Sequence, residues 1–137
     1  KHTYQFDMNF YQPAMKYFEQ VQKVGQVTGS THAMLAFTPD GGFLGGTEDV
    51  GRHVALDKLI GMRAMKKWGP TVVFLSSRAS YEMVQKAAVI GIEILFAISA
   101  PTNRALRLAK ECDLTLCAFC RDNRANIYNA PERLLNL

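Results

Sequence analysis

Thr71-Val72-Val73-Phe74-Leu75-Ser76-Ser77-Arg78-Ala79-Ser80 opens the part of the chain that decides the fold. Thr71 to Leu75 is mostly apolar rather than alternating, which marks a strand covered on both faces. Ile92 to Ile98 and Leu114 to Phe119 repeat that character. Ser80 to Ile90 lies between the first two runs and reads as a helix closed by Gly91. Thr102 to Glu111 lies between the second two, with Pro101 near its start. Strands alternating with helices predict a parallel sheet joined by right-handed crossovers.

Upstream, the rhythm is different. Pro13 is tolerated in a first helical turn, and Ala14, Phe18 and Val21 follow at helical spacing as far as Gly25, a helix stop. Thr31 to Phe37 alternates and reads as a strand, Pro39-Asp40-Gly41-Gly42 as a turn, and Phe43-Leu44 as the start of a hairpin partner. After the glycine-rich stretch from Gly45 to Gly51, a helix carries Leu56, Leu59 and Ile60 on one face. It runs to about Trp68, where Gly69-Pro70 stops it. The expected architecture is one three-layer α/β/α domain over residues 1–137: a helix, a hairpin, then repeated α–β units.

Length and composition agree. A chain of 137 residues, 48% hydrophobic and 20% charged, can bury a core without staples. Its apolar runs are too short to span a bilayer, and Lys1-His2-Thr3-Tyr4 does not lead into a signal-like segment, so no membrane partner is expected. A net charge of +4 suits an anionic partner, but no Lys/Arg block points to nucleic acid. Three cysteines, Cys112, Cys117 and Cys120, are odd in number and bunched, which argues for reduced thiols and a cytoplasmic setting.

In a parallel sheet, ligands bind beyond the C-terminal strand ends, where helix N-termini present free N–H groups. Those ends carry Ser76-Ser77-Arg78-Ala79-Ser80, then Ser99-Ala100-Pro101-Thr102-Asn103-Arg104, then Arg121-Asp122-Asn123-Arg124. Hydroxyls, amides and arginines together suit phosphate. Ser80 and Thr102 as plain N-caps with solvated arginines is the competing account, and the residues alone leave both open. In Glu48-Asp49-Val50-Gly51-Arg52-His53, Asp49 is placed to cap the next helix and the glycines allow close approach to a ligand. His53 raises zinc of the deaminase type, but position 55 is Ala55 where a general acid/base glutamate belongs, and no cysteine follows Leu75 at the next helix start; no metal is expected. Cys117-Ala118-Phe119-Cys120 has C-x-x-C spacing. In a strand, residues three apart point to opposite faces, so Cys117 is expected in the core and only Cys120 toward the ligand edge.

Four stretches, in order, resemble the FdhD/NarQ family. They are Thr28-Gly29-Ser30-Thr31-His32-Ala33, Glu48 to His53 continued through Ala55 to Gly61, Ser77-Arg78-Ala79-Ser80 with Glu82, Val84, Lys86 and Ala87, and Ser99-Ala100-Pro101-Thr102. The tail is also similar, from Phe119-Cys120-Arg121 through Arg124 and Tyr128 to Pro131-Glu132-Arg133. The resemblance implies a cytidine deaminase-like fold and the cofactor-binding part of a formate dehydrogenase accessory protein. Such a protein takes sulfur from a cysteine desulfurase and passes it to bis-molybdopterin guanine dinucleotide molybdenum cofactor, of which GDP is a fragment. Phe119, Cys120, Arg121, Asp122, Asn123 and Arg124 correspond to the family's cofactor-binding segment, with Ser77, Arg78, Ser99, Thr102, Arg52 and His53 completing the pocket. A homodimer is implied too. Ser30 and Ser76 stand where the family usually has glycine, and Val54 where asparagine is common. The family's sulfur-carrying C-x-x-C loop is N-terminal to everything seen here, and no cysteine precedes Cys112. The alternative is a guanine-nucleotide or molybdopterin-binding module without sulfurtransferase chemistry.

Overall fold

The three apolar runs form the middle of a sheet covered on both sides, which is how every residue of Val72–Leu75 and Ile94–Ala97 becomes buried. The computed structural model describes residues 3–22 and 31–137. In chain order its elements are β1 (Phe6–Asp7), α1 (Tyr11–Val21), β2 (His32–Phe37), β3 (Phe43–Asp49), α2 (Arg52–Lys66), β4 (Val72–Leu75), α3 (Tyr81–Val89), β5 (Ile94–Ala97), α4 (Asn103–Glu111), β6 (Thr115–Arg121), β7 (Arg124–Asn129) and β8 (Leu134–Leu135). Gly25 and Thr28 to Ser30, read above as a helix stop and a motif, lie outside the described residues.

The main sheet has the order β3-β2-β4-β5-β6-β7. β4, β5 and β6 are parallel, with Val72 opposite Ile94 and Ile94 opposite Thr115. β2 is antiparallel to both β3 and β4, and β7 is antiparallel to β6. The period-2 geometry of strands sorts even these apolar runs into two faces. Val73, Leu75, Leu95 and Leu116 meet Leu56 and Leu59 of α2, Met83 and Val84 of α3, and Ala105 and Ala109 of α4. Phe74, Phe96 and Cys117 meet Tyr11, Ala14, Met15 and Phe18 of α1 on the other side. There Phe74 and Phe96 stack at 4.6 Å, and Phe6 approaches Phe96 edge-on at 5.6 Å. The expected mixed α/β arrangement, with helices on both faces of a sheet, is present.

Local chemistry sets the ends. Ser80 caps α3 by accepting from Met83 N at 3.4 Å, and Thr102 caps α4 by accepting from Ala105 N at 3.1 Å. Gly91, at φ +85°, turns the chain out of α3 while Ile92 N donates back to Ala87 O at 3.0 Å. Four strands differ from the reading above. β3 runs through the glycine-rich stretch instead of ending before it. A Cβ at Gly45 would come within 2.8 Å of Met62 Cε and 3.2 Å of the Trp68 ring, so α2 lies close against that strand. β7 and the short parallel pair β1–β8 escape notice because two-residue strands, and a strand rich in arginine and asparagine, carry no hydrophobic run. Among the described residues no helix is long and apolar enough to cross a membrane.

At the sheet edge where the parallel strands begin, an ion-pair knot gathers the chain ends. Arg133 is only 1% exposed. Its Nε donates to Glu93 Oε1 at 3.0 Å and its Nη1 to Asp113 O and Thr115 Oγ1. Glu93 also accepts from Thr3 N and Thr3 Oγ1, and Tyr4 OH accepts from Glu93 N at 2.7 Å. Burial pushes the Glu93 carboxyl up. The Thr3 hydrogen bonds and the Arg133 charge outweigh that, so it sits below the usual carboxylate range.

A carboxyl with a depressed native pKa contributes stability that is complete above its unfolded value, about 4.3, and is lost as pH falls through the lower native value. Glu93→Gln should therefore lower stability at pH 7 by about 1.5–3 kcal/mol, the usual contribution of a hydrogen bond to a charged group. It should also flatten the acid limb of a denaturation-against-pH curve below about pH 4.3. Parallel acid limbs for variant and wild type would show that Glu93 does not link folding to protons.

Candidate functional site

Because β4, β5 and β6 point the same way, the segments after them meet at one rim. Ala79 bridges to Pro101, and Thr102 N donates to Ala79 O at 3.1 Å. Phe119 N donates to Ser99 O at 3.3 Å, and Arg121 Nη1 donates to Ile98 O at 3.1 Å. The segments carrying Ser77, Thr102 and Arg121 are thus stitched together. The end of β3 and the start of α2 also lie at this edge, since His32 pairs with Asp49 and β2 is antiparallel to β4.

The open groove at the rim is on the α1 side of the sheet. One lobe of about 670 Å³ lies between Gln12 and Met15 of α1 and the Ile98 and Cys120 to Asn123 segments. A second of about 300 Å³ continues past the Asp122–Asn123 turn to Arg124 and Ala125, walled by Met8, Asn9 and Tyr11. Both lobes share Gln12, Asp122 and Asn123. Volumes of roughly 300–1,000 Å³ are those of small-molecule sites.

Tyr11 builds this wall. Its hydroxyl lies 2.7 Å from Arg121 O and 2.9 Å from Arg124 O, the two carbonyls that flank the hairpin turn. Burial, chiefly, raises its pKa, so it remains a proton donor. Arg121 is fixed as well: Nη1 bonds to Ile98 O and Cys120 O, which leaves Nη2 and Nε for a ligand.

Phe119 decides where the cysteines point. At φ +52° it is left-handed, at a cost of about 1–2 kcal/mol for a residue with a side chain. The β6–β7 register shifts between Ala118 and Arg121. That irregularity breaks strand alternation, so Cys117 and Cys120 both enter the α1-side core, not opposite faces as simple spacing suggests. Phe119 itself is exposed at the rim. Burial pushes both thiols up, Cys120 to about 11, even though the Tyr11 hydrogen bond, the Ala97 backbone and the Arg121 charge pull the other way. Cys120 reaches the groove but is protonated at neutral pH, and a neutral thiol is a weak nucleophile.

The other expected residues divide by position. Ser77 is buried and its hydroxyl donates to Arg78 O at 3.1 Å, while Thr102 Oγ1 is engaged as a cap. Ser99 is half-buried and Arg78 exposed; neither lines either lobe. Arg52 and His53 follow β3, four strand spacings, ~19 Å, along the rim from β6. Asp49 does not cap α2, whose N-cap is Gly51. It accepts from Gly51 N at 3.0 Å and pairs with Lys58 at 2.7 Å, and those bonds hold its carboxyl low. Met8, Asn9, Tyr11, Gln12 and Met15 were not foreseen in the sequence, since an amphipathic N-terminal helix gives no signal of which distant hairpin it will meet. Among the described residues no group of three or more His, Cys, Asp or Glu could hold a metal ion.

The chain belongs to the FdhD/NarQ family, whose sequence profile matches residues 1–135. It is similar to the crystal structure of a protein from Desulfotalea psychrophila assigned as a formate dehydrogenase accessory protein, with a TM-score of 0.91 and 32% identity. The match covers 96% of this chain and 60% of that one, so the chain spans well under the full length of that protein.

Burial divides the thiols by reactivity. With a disulfide reagent at neutral pH, exposed Cys112 should react at once, and Cys117 and Cys120 only after a denaturant is added. Rapid native-state modification of Cys120 would contradict its placement behind the rim.

Proposed function

We propose that this member of the FdhD/NarQ family is the cofactor-binding part of a formate dehydrogenase accessory protein, and that its groove seats the guanine dinucleotide end of bis-molybdopterin guanine dinucleotide molybdenum cofactor. The observation that carries the reading is the anchored segment Cys120 to Arg124. It forms one wall of both lobes, with two arginines flanking the turn. Guanidinium groups held at a rim suit phosphates, because their N–H forks match the oxygens and need little reorganisation. The neighbouring turns, with Ser99, Thr102 and Arg78, extend the polar rim toward Arg52 and His53, which suits an extended ligand rather than a compact one. Bound there, the molybdenum centre would be the acceptor of sulfur. What this chain supplies is binding and orientation.

The same reading assigns the fold to the cytidine deaminase-like group, the sulfur source to a cysteine desulfurase, and the working unit to a cytoplasmic homodimer. A second reading is favoured by the thiols: a guanine-nucleotide or molybdopterin-binding module without sulfur transfer. Persulfide exchange requires an accessible thiolate. Cys117 and Cys120 are buried with raised pKa values, and Cys112 follows α4, at the edge opposite the groove.

Calorimetry tests the groove. GDP should bind the folded chain, and Arg121→Ala with Arg124→Ala should weaken it at least tenfold. A hydrogen bond to a charged group contributes about 1.5–3 kcal/mol, and each ~1.4 kcal/mol is a factor of ten. Arg107→Ala, on exposed α4 surface, should leave affinity unchanged. No GDP binding by well-folded wild type would remove the reading.

A further inference from the structure

We propose that Asp122 selects guanine in the groove; this rests on the guanine-nucleotide reading above and goes further by naming the residue that reads the base. Asp122 is exposed and lines both lobes. It is one residue from Arg121 and two from Arg124, yet its carboxylate makes no hydrogen bond or ion pair among the described residues. It does not cap its own turn, whose flanking carbonyls are held instead by the Tyr11 hydroxyl. The turn therefore does not need that carboxylate.

A free carboxylate is also the wrong group to place against phosphate, since like charges at contact repel. With Arg121 and Arg124 at either side to take phosphate oxygens, Asp122 must meet a ligand part that donates. The Watson–Crick edge of guanine offers two adjacent donors, N1–H and the 2-amino group, and the two oxygens of one carboxylate accept both. Adenine presents an unprotonated N1 there and has no 2-amino group. Hypoxanthine keeps N1–H alone. Xanthine puts a carbonyl in place of the amine, which a carboxylate repels and a carboxamide N–H₂ accommodates. Gln12 and Asn123, which flank Asp122 in both lobes, are neutral amides without that preference for donors.

The test is calorimetry of the folded chain and of Asp122→Asn against GDP, inosine diphosphate, xanthosine diphosphate and ADP, each with magnesium and with EDTA. Wild type should prefer GDP over inosine diphosphate by about tenfold and bind ADP weakest, because two charged hydrogen bonds become one and then none. Asp122→Asn should lose about ten- to a hundredfold for GDP and gain affinity for xanthosine diphosphate, with an unchanged melting temperature. The gain is the outcome a merely structural role would not give. Wild type that ignores GDP would overturn the groove reading and this inference together. Wild type that binds GDP equally well after the substitution would overturn this inference alone. An equal loss for all four nucleotides, or a loss seen only with magnesium, would also overturn it by assigning the carboxylate to the fold or to a metal.

Discussion

The shared direction of β4, β5 and β6 is the constraint from which the rest follows. Parallel strands buried on both faces require crossovers, and a right-handed crossover places α3 and α4 on the same side. All three strands then end at one rim, where backbone bonds from Thr102 to Ala79 and from Phe119 to Ser99 join neighbouring loops. The opposite edge is where the strands begin, and there the chain is closed by the Arg133–Glu93 knot, Tyr4 and Thr3. One edge is tied down by buried charge and the other is left with arginines, amides and a carboxylate facing outward. Stability and the proposed recognition thereby fall at opposite ends of the same strands.

How much of this can be read in advance depends on the range of the interaction. The apolar runs, their helices and the caps Ser80 and Thr102 are local patterns, and each appears where its residues predict it. The convergence of three turns at a rim follows from parallel direction alone. The groove itself depends on Tyr11 meeting carbonyls 110 and 113 residues away, and no spacing encodes that meeting. Likewise, strand alternation sends Cys117 and Cys120 to opposite faces unless one residue leaves the β region. Phe119 does, and nothing about a phenylalanine announces a left-handed backbone. The same limit hides β3 beyond Leu44: glycines there look like a loop until α2 is seen lying against Gly45.

Phe119 holds a strained conformation that the surroundings over-determine. Its amide is bonded to Ser99 O, Cys120 behind it is packed in the core, and Arg121 ahead of it is pinned to Ile98 O. Strain of this kind persists only where the surroundings hold it, here with a ring and a guanidinium two residues apart at the end of β6. In the proposed function, a wall so fixed would hold a charged ligand without reorganising, which lowers the cost of binding.

That same fixity argues against sulfur chemistry at this wall. A sulfur carrier must let its thiol ionise, meet a donor, and then meet an acceptor, so it needs exposure and movement. Cys120 lacks that exposure: burial keeps it protonated, and releasing it would break the packing that positions Arg121 and the turn. One residue cannot be both the buried wedge that shapes a binding wall and the mobile nucleophile that visits it. In a protein that performs both tasks, the carrier cysteine has to belong to a different segment from Cys117 and Cys120, one able to approach the groove from outside while the hairpin stays still.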